Sequence, residues 1–228
     1  MKKVFLCCTL LLFIFITVNA QQQKTGISKN YADVGFGFGS SQGSISGSYT
    51  HNWQLGKKGK FFIGTGARFT TYFGNGINYL SAPASIASDE KSIDTLLISK
   101  SSINALNVLI NLGYNFSPRL QAGFNIDAIG FSFGKNINAK FTGNGTTTNI
   151  NAKPTGFNIL LVGNNDKGSL NSHFYLQYLL GKQWGVKVAY QYLFTEYTTA
   201  TKVQTQPEVN DRFRNKATMG YVGFTYSF

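Results

Sequence analysis

Between Tyr31 and Phe228 the chain holds a series of segments in which apolar and polar residues alternate from one position to the next. Val108, Ile110, Leu112, Tyr114 and Phe116 are interleaved with Asn107, Asn111, Gly113 and Asn115. Leu120, Ala122, Phe124, Ile126 and Ala128 alternate with Arg119, Gln121, Gly123, Asn125 and Asp127. Phe61, Ile63, Ala67, Phe69 and Phe73 oppose Gly64, Gly66, Arg68 and Thr70. Leu170, Phe174, Leu176, Tyr178 and Leu180 oppose Asn171, His173 and Gln177, and Trp184, Val186, Val188, Tyr190, Tyr192 and Phe194 oppose Gly185, Lys187, Ala189, Gln191 and Thr195. Successive side chains on a strand point to opposite faces, so each segment predicts a strand with one apolar and one polar face.

Eight such strands are predicted: Tyr31–Gly39, Ser44–Trp53, Lys60–Gly74, Ile103–Phe116, Arg119–Phe133, Leu170–Leu180, Gln183–Thr198 and Phe213–Phe228. Residues 54–59, 117–118 and 181–182 make short turns, the second through Ser117-Pro118. Residues 75–102, 134–169 and 199–212 make long polar loops, and only 40–43 departs from the alternation of short and long. Even strand number, short turns at one end and long loops at the other are the layout of bacterial outer-membrane barrels. The fold class expected is therefore all-β: an eight-stranded antiparallel up-and-down transmembrane β-barrel with long outer loops. A soluble sandwich or lipocalin-like barrel would carry charge on its polar faces. Here those faces are mostly Gly, Asn, Gln, Ser and Thr, which suit a wet lumen better than a soluble exterior.

Composition sharpens this. Only 13% of residues are charged against the usual quarter, while 15% are aromatic, a balance suited to strands that face lipid. The formal charge of +12 comes from scattered lysines, so it does not read as a nucleic-acid footprint, and no nucleic acid is expected as a partner. Lys2 and Lys3, the apolar run Val4–Thr17 and the small-residue exit Val18-Asn19-Ala20 predict a secretory signal peptide over 1–20, cleaved between Ala20 and Gln21. Residues 21–30 then form a short polar segment and 31–228 the barrel domain. Both cysteines, Cys7 and Cys8, fall inside the signal, so disulfides do not hold the barrel. After the signal no apolar stretch is long enough to cross a membrane as a helix.

On this topology the turn-side ends of the strands carry outward Trp53, Phe61, Phe116, Trp184 and Phe228, an interfacial aromatic girdle. The final strand, Gly220-Tyr221-Val222-Gly223-Phe224-Thr225-Tyr226-Ser227-Phe228, ends on alternating aromatics, and Asp33-Val34-Gly35-Phe36-Gly37-Phe38-Gly39 opens the barrel. In these stretches the chain resembles the small bacterial outer-membrane β-barrel proteins grouped with the OmpA transmembrane domain, OmpX and OmpW. The resemblance implies that Phe224, Tyr226 and Phe228 form a C-terminal assembly signal read by the barrel-insertion machinery. It implies outer-membrane lipid and lipopolysaccharide as surroundings and a location in the bacterial cell outer membrane. It does not extend to a peptidoglycan-binding domain.

Little here suits catalysis. Gly35, Gly37 and Gly39 precede no helix pattern, so they read as room in a narrow lumen rather than as a phosphate loop. The two histidines, His51 and His173, predict opposite faces and ends, and no metal ligand set or cofactor is expected. Ser172 and His173 are neighbours on a strand and so point apart. Inward ionisable residues are few: Asp33, Arg68, Arg119, Asp127, His173 and Lys187. Arg68 with Asp127, and Asp33 with Lys187 across the closing seam, fall at matching heights, and pairing is expected because an isolated charge in a narrow interior is costly. Such pairs would plug the lumen. Glu196 and Lys216 are expected to pair outward at the outer rim. Lys91, Lys100, Lys135, Lys140, Lys153, Lys167 and Lys202 lie in the outer loops. The 134–169 loop holds a hairpin signal at Thr142-Gly143-Asn144-Gly145 and an apolar patch at 157–162, which can cap the mouth, add strands or meet a protein partner. The leading role is a non-enzymatic barrel with an envelope-structural, surface-interaction or narrow-transport task. The alternatives are a membrane-embedded subunit of a secretion or envelope-assembly complex and a lipid-A-modifying barrel enzyme with a triad built across strands.

Overall fold

A computed structural model describes residues 29–143, 145–161 and 165–228; the signal segment with its Ala20–Gln21 junction lies outside the described residues. Eleven strands form one sheet: β1 (Asn30–Gly39), β2 (Gln42–Leu55), β3 (Phe61–Ser81), β4 (Thr95–Asn115), β5 (Leu120–Phe133), β6 (Ile137–Gly143), β7 (Thr146–Pro154), β8 (Phe157–Ile159), β9 (Leu170–Leu179), β10 (Trp184–Thr199) and β11 (Arg212–Ser227). Eight of them close a ring in the order β1-β2-β3-β4-β5-β9-β10-β11, all antiparallel, with the seam running from Tyr31↔Ser227 to Phe38↔Gly220. Closure leaves no strand edge, the condition for a sheet to sit in hydrocarbon.

The ring is apolar outside and polar inside. Val108, Ile110 and Val188 are 47%, 40% and 48% exposed, while Asn107, Asn111, Gln177 and Gln191 are buried. Alternation along β5 is not regular, however. Val108 pairs with Ile129 but Leu109 pairs with Asp127, so Ala128 is an extra residue in a β-bulge. The bulge moves the outward face from even to odd positions, exposing Ile129, Phe131 and Phe133 and burying Ser132. Two smaller corrections follow from burial. Arg119 is exposed in the turn before β5 and does not enter the lumen, and Leu170, at the outer end of β9, is buried.

Strands occupy about half of two long connections, 75–102 and 134–169, and almost none of 199–212. β3 and β4, 21 residues each, stay paired from Phe61↔Tyr114 to Leu80↔Thr95. β6 and β7 form the hairpin signalled at 142–145. Beyond the β1–β2 hairpin tip, β11 pairs directly with β3 (Phe213↔Ser81), β4 pairs with β6 (Leu96↔Phe141) and β7 pairs with β10 (Tyr197↔Pro154). β3, β4, β6, β7, β10 and β11 thus close a second, six-membered ring on top of the first. The apolar patch beginning at Phe157 supplies β8, which pairs with the outer end of β5 (Ile129↔Ile159) and does not cross the barrel.

Candidate functional site

Two features set what this molecule can do: the packed lumen of the lower ring and the upper ring that stands on its mouth. In the lumen, Arg68 of β3 and Asp127 of β5 form an ion pair at 2.6 Å, with side chains 2% and 0% exposed. Arg68 also donates to Asn125 Oδ1 at 2.7 Å, and the Asp127 carboxylate accepts from Asn107 Nδ2 at 2.7 Å and from the Asn171 backbone N–H at 3.0 Å. Across the seam, Lys187 Nζ lies 3.0 Å from Asp33 Oδ2 and over the Tyr175 ring at 4.8 Å. Asp33 accepts further from Ser48 and Tyr221. Amides complete the packing: Gln191 accepts from Ser44 and donates to Asn171, and Asn111 joins Tyr175 to Asn52. A buried charge is costly unless it is paired, and both pairs meet that condition. Glycine supplies the space: a Cβ at Gly37 would stand 1.9 Å from Gln191 Oε1. A gap lined by Asp33, Asn52, Asn111, Asn125, Tyr175 and Lys187, among others, measures about 10 Å³, room for about one water.

The upper ring reverses this polarity. Its interior is Ile77, Tyr79, Leu96, Ile98, Ile103, Ala139, Phe141, Ala152, Tyr197 and Phe213. Its wall shows Asn138, Lys140, Asn149, Asn151 and Lys153 to the outside, the arrangement of a water-soluble barrel. The reversal is built where β3 and β4 pass Asn75-Gly76 and Ser99-Lys100. Below, Gly74 and Ser101 point inward; above, Ile77 and Ile98 do, although the pairing register is unbroken. Gly76 makes this possible with φ +62°, a left-handed conformation that other residues adopt reluctantly. Tyr79 donates or accepts with Ser101 and Thr195 at 2.6 and 3.1 Å, and burial pushes its phenol well above the usual tyrosine range, so it stays neutral. At the apex, Gln204 binds Ser81, Ser92 and Asn210, drawing the 82–94 and 200–211 segments together, and Ile86 is buried beneath them.

Glu196 does not pair with Lys216. It is fully buried and accepts from Arg212 Nε at 2.8 Å and Arg214 Nη2 at 2.8 Å. Both guanidiniums also reach the Asp166 carbonyl, so the segment after β8 covers this outward face. Lys216 sits opposite Phe194 in the ladder, its ammonium 5.9 Å from that ring. Only a covering segment could reveal Glu196 as buried, and strand alternation carries no signal of it.

At the turn end, Trp53, Phe61, Phe116 and Trp184 are exposed on the outer wall and Phe228 is half-buried. Phe61, Tyr114 and Phe116 meet edge-on on one side and Trp184, Tyr226 and Phe228 on the other, where Phe228 also lies tilted against Tyr49. Phe224 points outward with Tyr226. His51 stacks edge-on against Trp53 and binds Asn30 at 2.7 Å, with no serine among these contacts. His173 is sealed in the lumen against Tyr221. Among the described residues no group of His, Cys, Asp or Glu converges as a metal site.

Sequential antiparallel strands, an apolar wall, a polar lumen and short turns at one end make this a small outer-membrane-type barrel. No family model matches the chain, and no curated protein does. Among solved structures, the chain is similar to Neisserial surface protein A (9% identity, TM-score 0.39, covering 87% of this chain and 95% of that one). It is similar to Ail, the attachment invasion locus protein of Yersinia pestis (10% identity, TM-score 0.38, 88% and 99%), and to the Ralstonia pickettii toluene transporter TbuX (8%, 0.27, 82% and 68%). Likenesses this distant carry no argument about role.

Proposed function

We propose that residues 21–228 form a non-enzymatic barrel of the bacterial outer membrane whose task is surface interaction, carried by the upper ring. The observation that supports this is the closed six-stranded ring with an apolar core standing on the mouth of the lumen. It blocks the axis above the two ion pairs, so a narrow-transport role through the lumen is disfavoured twice over. It also holds a hydrophilic β-wall rigidly outside the lipid zone, which is what a recognition surface requires. Lipid around the lower ring, lipopolysaccharide phosphates near Lys100, Lys135 and Lys216, and insertion machinery reading Phe224, Tyr226 and Phe228 complete the reading. A protein partner would meet the upper wall and its apex.

The test is an epitope inserted at the β6–β7 tip, residues 142–146, in cells expressing the full chain. Antibody should label intact cells, and the protein should fractionate with the outer membrane and migrate faster unheated than boiled. Labelling only after lysis, or recovery in a soluble fraction, would overturn the proposal.

A further inference from the structure

The charge of this protein is distributed unevenly along the barrel axis. Asp33 and Asp127 are spent in the lumen, and Asp166 and Glu196 lie at the junction of the rings beside Arg212 and Arg214. The other acidic side chains, Asp89, Glu90, Asp94, Glu208 and Asp211, all lie in the apical segments. The turn end carries none. Among the described residues it carries six exposed cations instead: Lys29 before β1, Lys57, Lys58 and Lys60 between β2 and β3, Arg119 between β4 and β5, and Lys182 between β9 and β10. Every connection at this end contributes at least one, so the positive charge encircles the rim.

These cations lie just beyond the outward aromatic rings. Lys60 Nζ is 5.8 Å from the centroid of Tyr114, which packs between Phe61 and Phe116 of the girdle, so one ammonium lies directly beside an interfacial ring. Aromatic bodies at the hydrocarbon boundary with cations one step further out match the order of a bilayer: acyl chain, interface, phosphate.

The geometry points to a collar that binds the anionic phosphates of phospholipid headgroups in the leaflet at the turn end. This rests on the membrane reading above. A docking protein would approach one side of the rim, and a charge ring open on all sides fits a partner that surrounds the barrel, which lipid does. No acidic side chain at this end repels the phosphates.

The two tryptophans of the protein, Trp53 and Trp184, sit on this rim and supply the readout. The chain is folded into vesicles of phosphatidylcholine with rising fractions of phosphatidylglycerol, one or the other brominated in its acyl chains to quench tryptophan. Quenching should report a preference for phosphatidylglycerol of about threefold or more in low salt, falling toward unity near 1 M salt, where screening acts over only ~3 Å. A variant with glutamine at all six positions should show no preference while keeping its heat-dependent gel shift. Equal quenching by both lipids in the folded wild type overturns the collar, and leaves an acidic protein as the reader of this charge. Absence of quenching by either lipid sinks the membrane reading instead, so the two failures are distinguishable. A preference that persists at high salt and in the glutamine variant also overturns the collar, because it would then come from packing and not from charge.

Discussion

At the scale of single residues, the lumen is governed by satisfaction of buried charge. Asp127 accepts from Arg68, Asn107 and the Asn171 backbone, so removing it leaves a guanidinium without its counter-charge in a water-poor space. Asp127→Ala is expected to lose about 3–5 kcal/mol in urea unfolding from vesicles, whereas the paired change Arg68→Met with Asp127→Leu loses distinctly less. Equal losses would mean that the pair matters only for its volume. Arg68 with Asp127, and Asp33 with Lys187, were legible because strand parity and height along the barrel both follow from counting residues. Asn125 and the Asn171 backbone as further partners of the pair were not, because they depend on side-chain reach across the lumen. Glu196 was misplaced for a related reason: alternation sets which way a residue points but not whether another segment lies over it.

At the scale of elements, the decisive piece is the β6–β7 hairpin, which supplies two of the six staves of the upper ring. Phe141 fills its centre, packed edge-on against Phe213 with ring centroids 5.8 Å apart. Phe141→Ala should weaken the upper ring by about 3–5 kcal/mol, the usual cost of emptying a core aromatic. Limited proteolysis would then cut within 75–102 or 134–169 faster than in wild type, while the boiled and unboiled gel mobilities of the lower ring stay as they were. Loss of the gel shift together with loss of the upper ring would show that the two rings fold as one cooperative unit. Strand signals in the lower ring were plain in the sequence because lipid on one side and lumen on the other give every strand clean alternation. In the upper ring the same alternation exists, at Ile137, Ala139 and Phe141 for instance, but it is interrupted by Asn75-Gly76 and Ser99-Lys100, where the inward parity changes. A polar stretch carrying a Gly resembles a loop when read in one dimension. The bulge at Ala128 hides in the same way, as a single residue that shifts the outward face within an otherwise apolar run.

At the scale of the whole molecule, two closed rings with opposite polarity share one axis, and the axis is shut in both. In planar bilayers the wild type should show no large, stable open level. Arg68→Ala combined with Asp127→Ala should remain closed, because the apolar core of the upper ring still caps the lumen. Deleting residues 137–154 in that double variant, with Asp33→Ala and Lys187→Ala added to remove the second pair, is the change expected to produce current. A large open conductance in wild type, insensitive to Arg68→Ala, would contradict the plugged lumen.

By itself, the order of residues determined the eight-stranded ring, which face of most of its strands meets lipid, the turn end and the loop end, and the two lumen ion pairs. Those follow from period-two alternation and strand length, which are local properties of the chain. The tertiary structure alone decided that the long connections close a second ring, that its interior is apolar, and that Glu196 is buried under the Asp166 segment. These depend on which distant strand ends meet once β1 and β2 have turned back at residues 39–42, so that β11 becomes free to pair with β3. Pairing between the upper ends of strands that are not neighbours in the lower ring is settled by ring closure in three dimensions, and no local pattern encodes it.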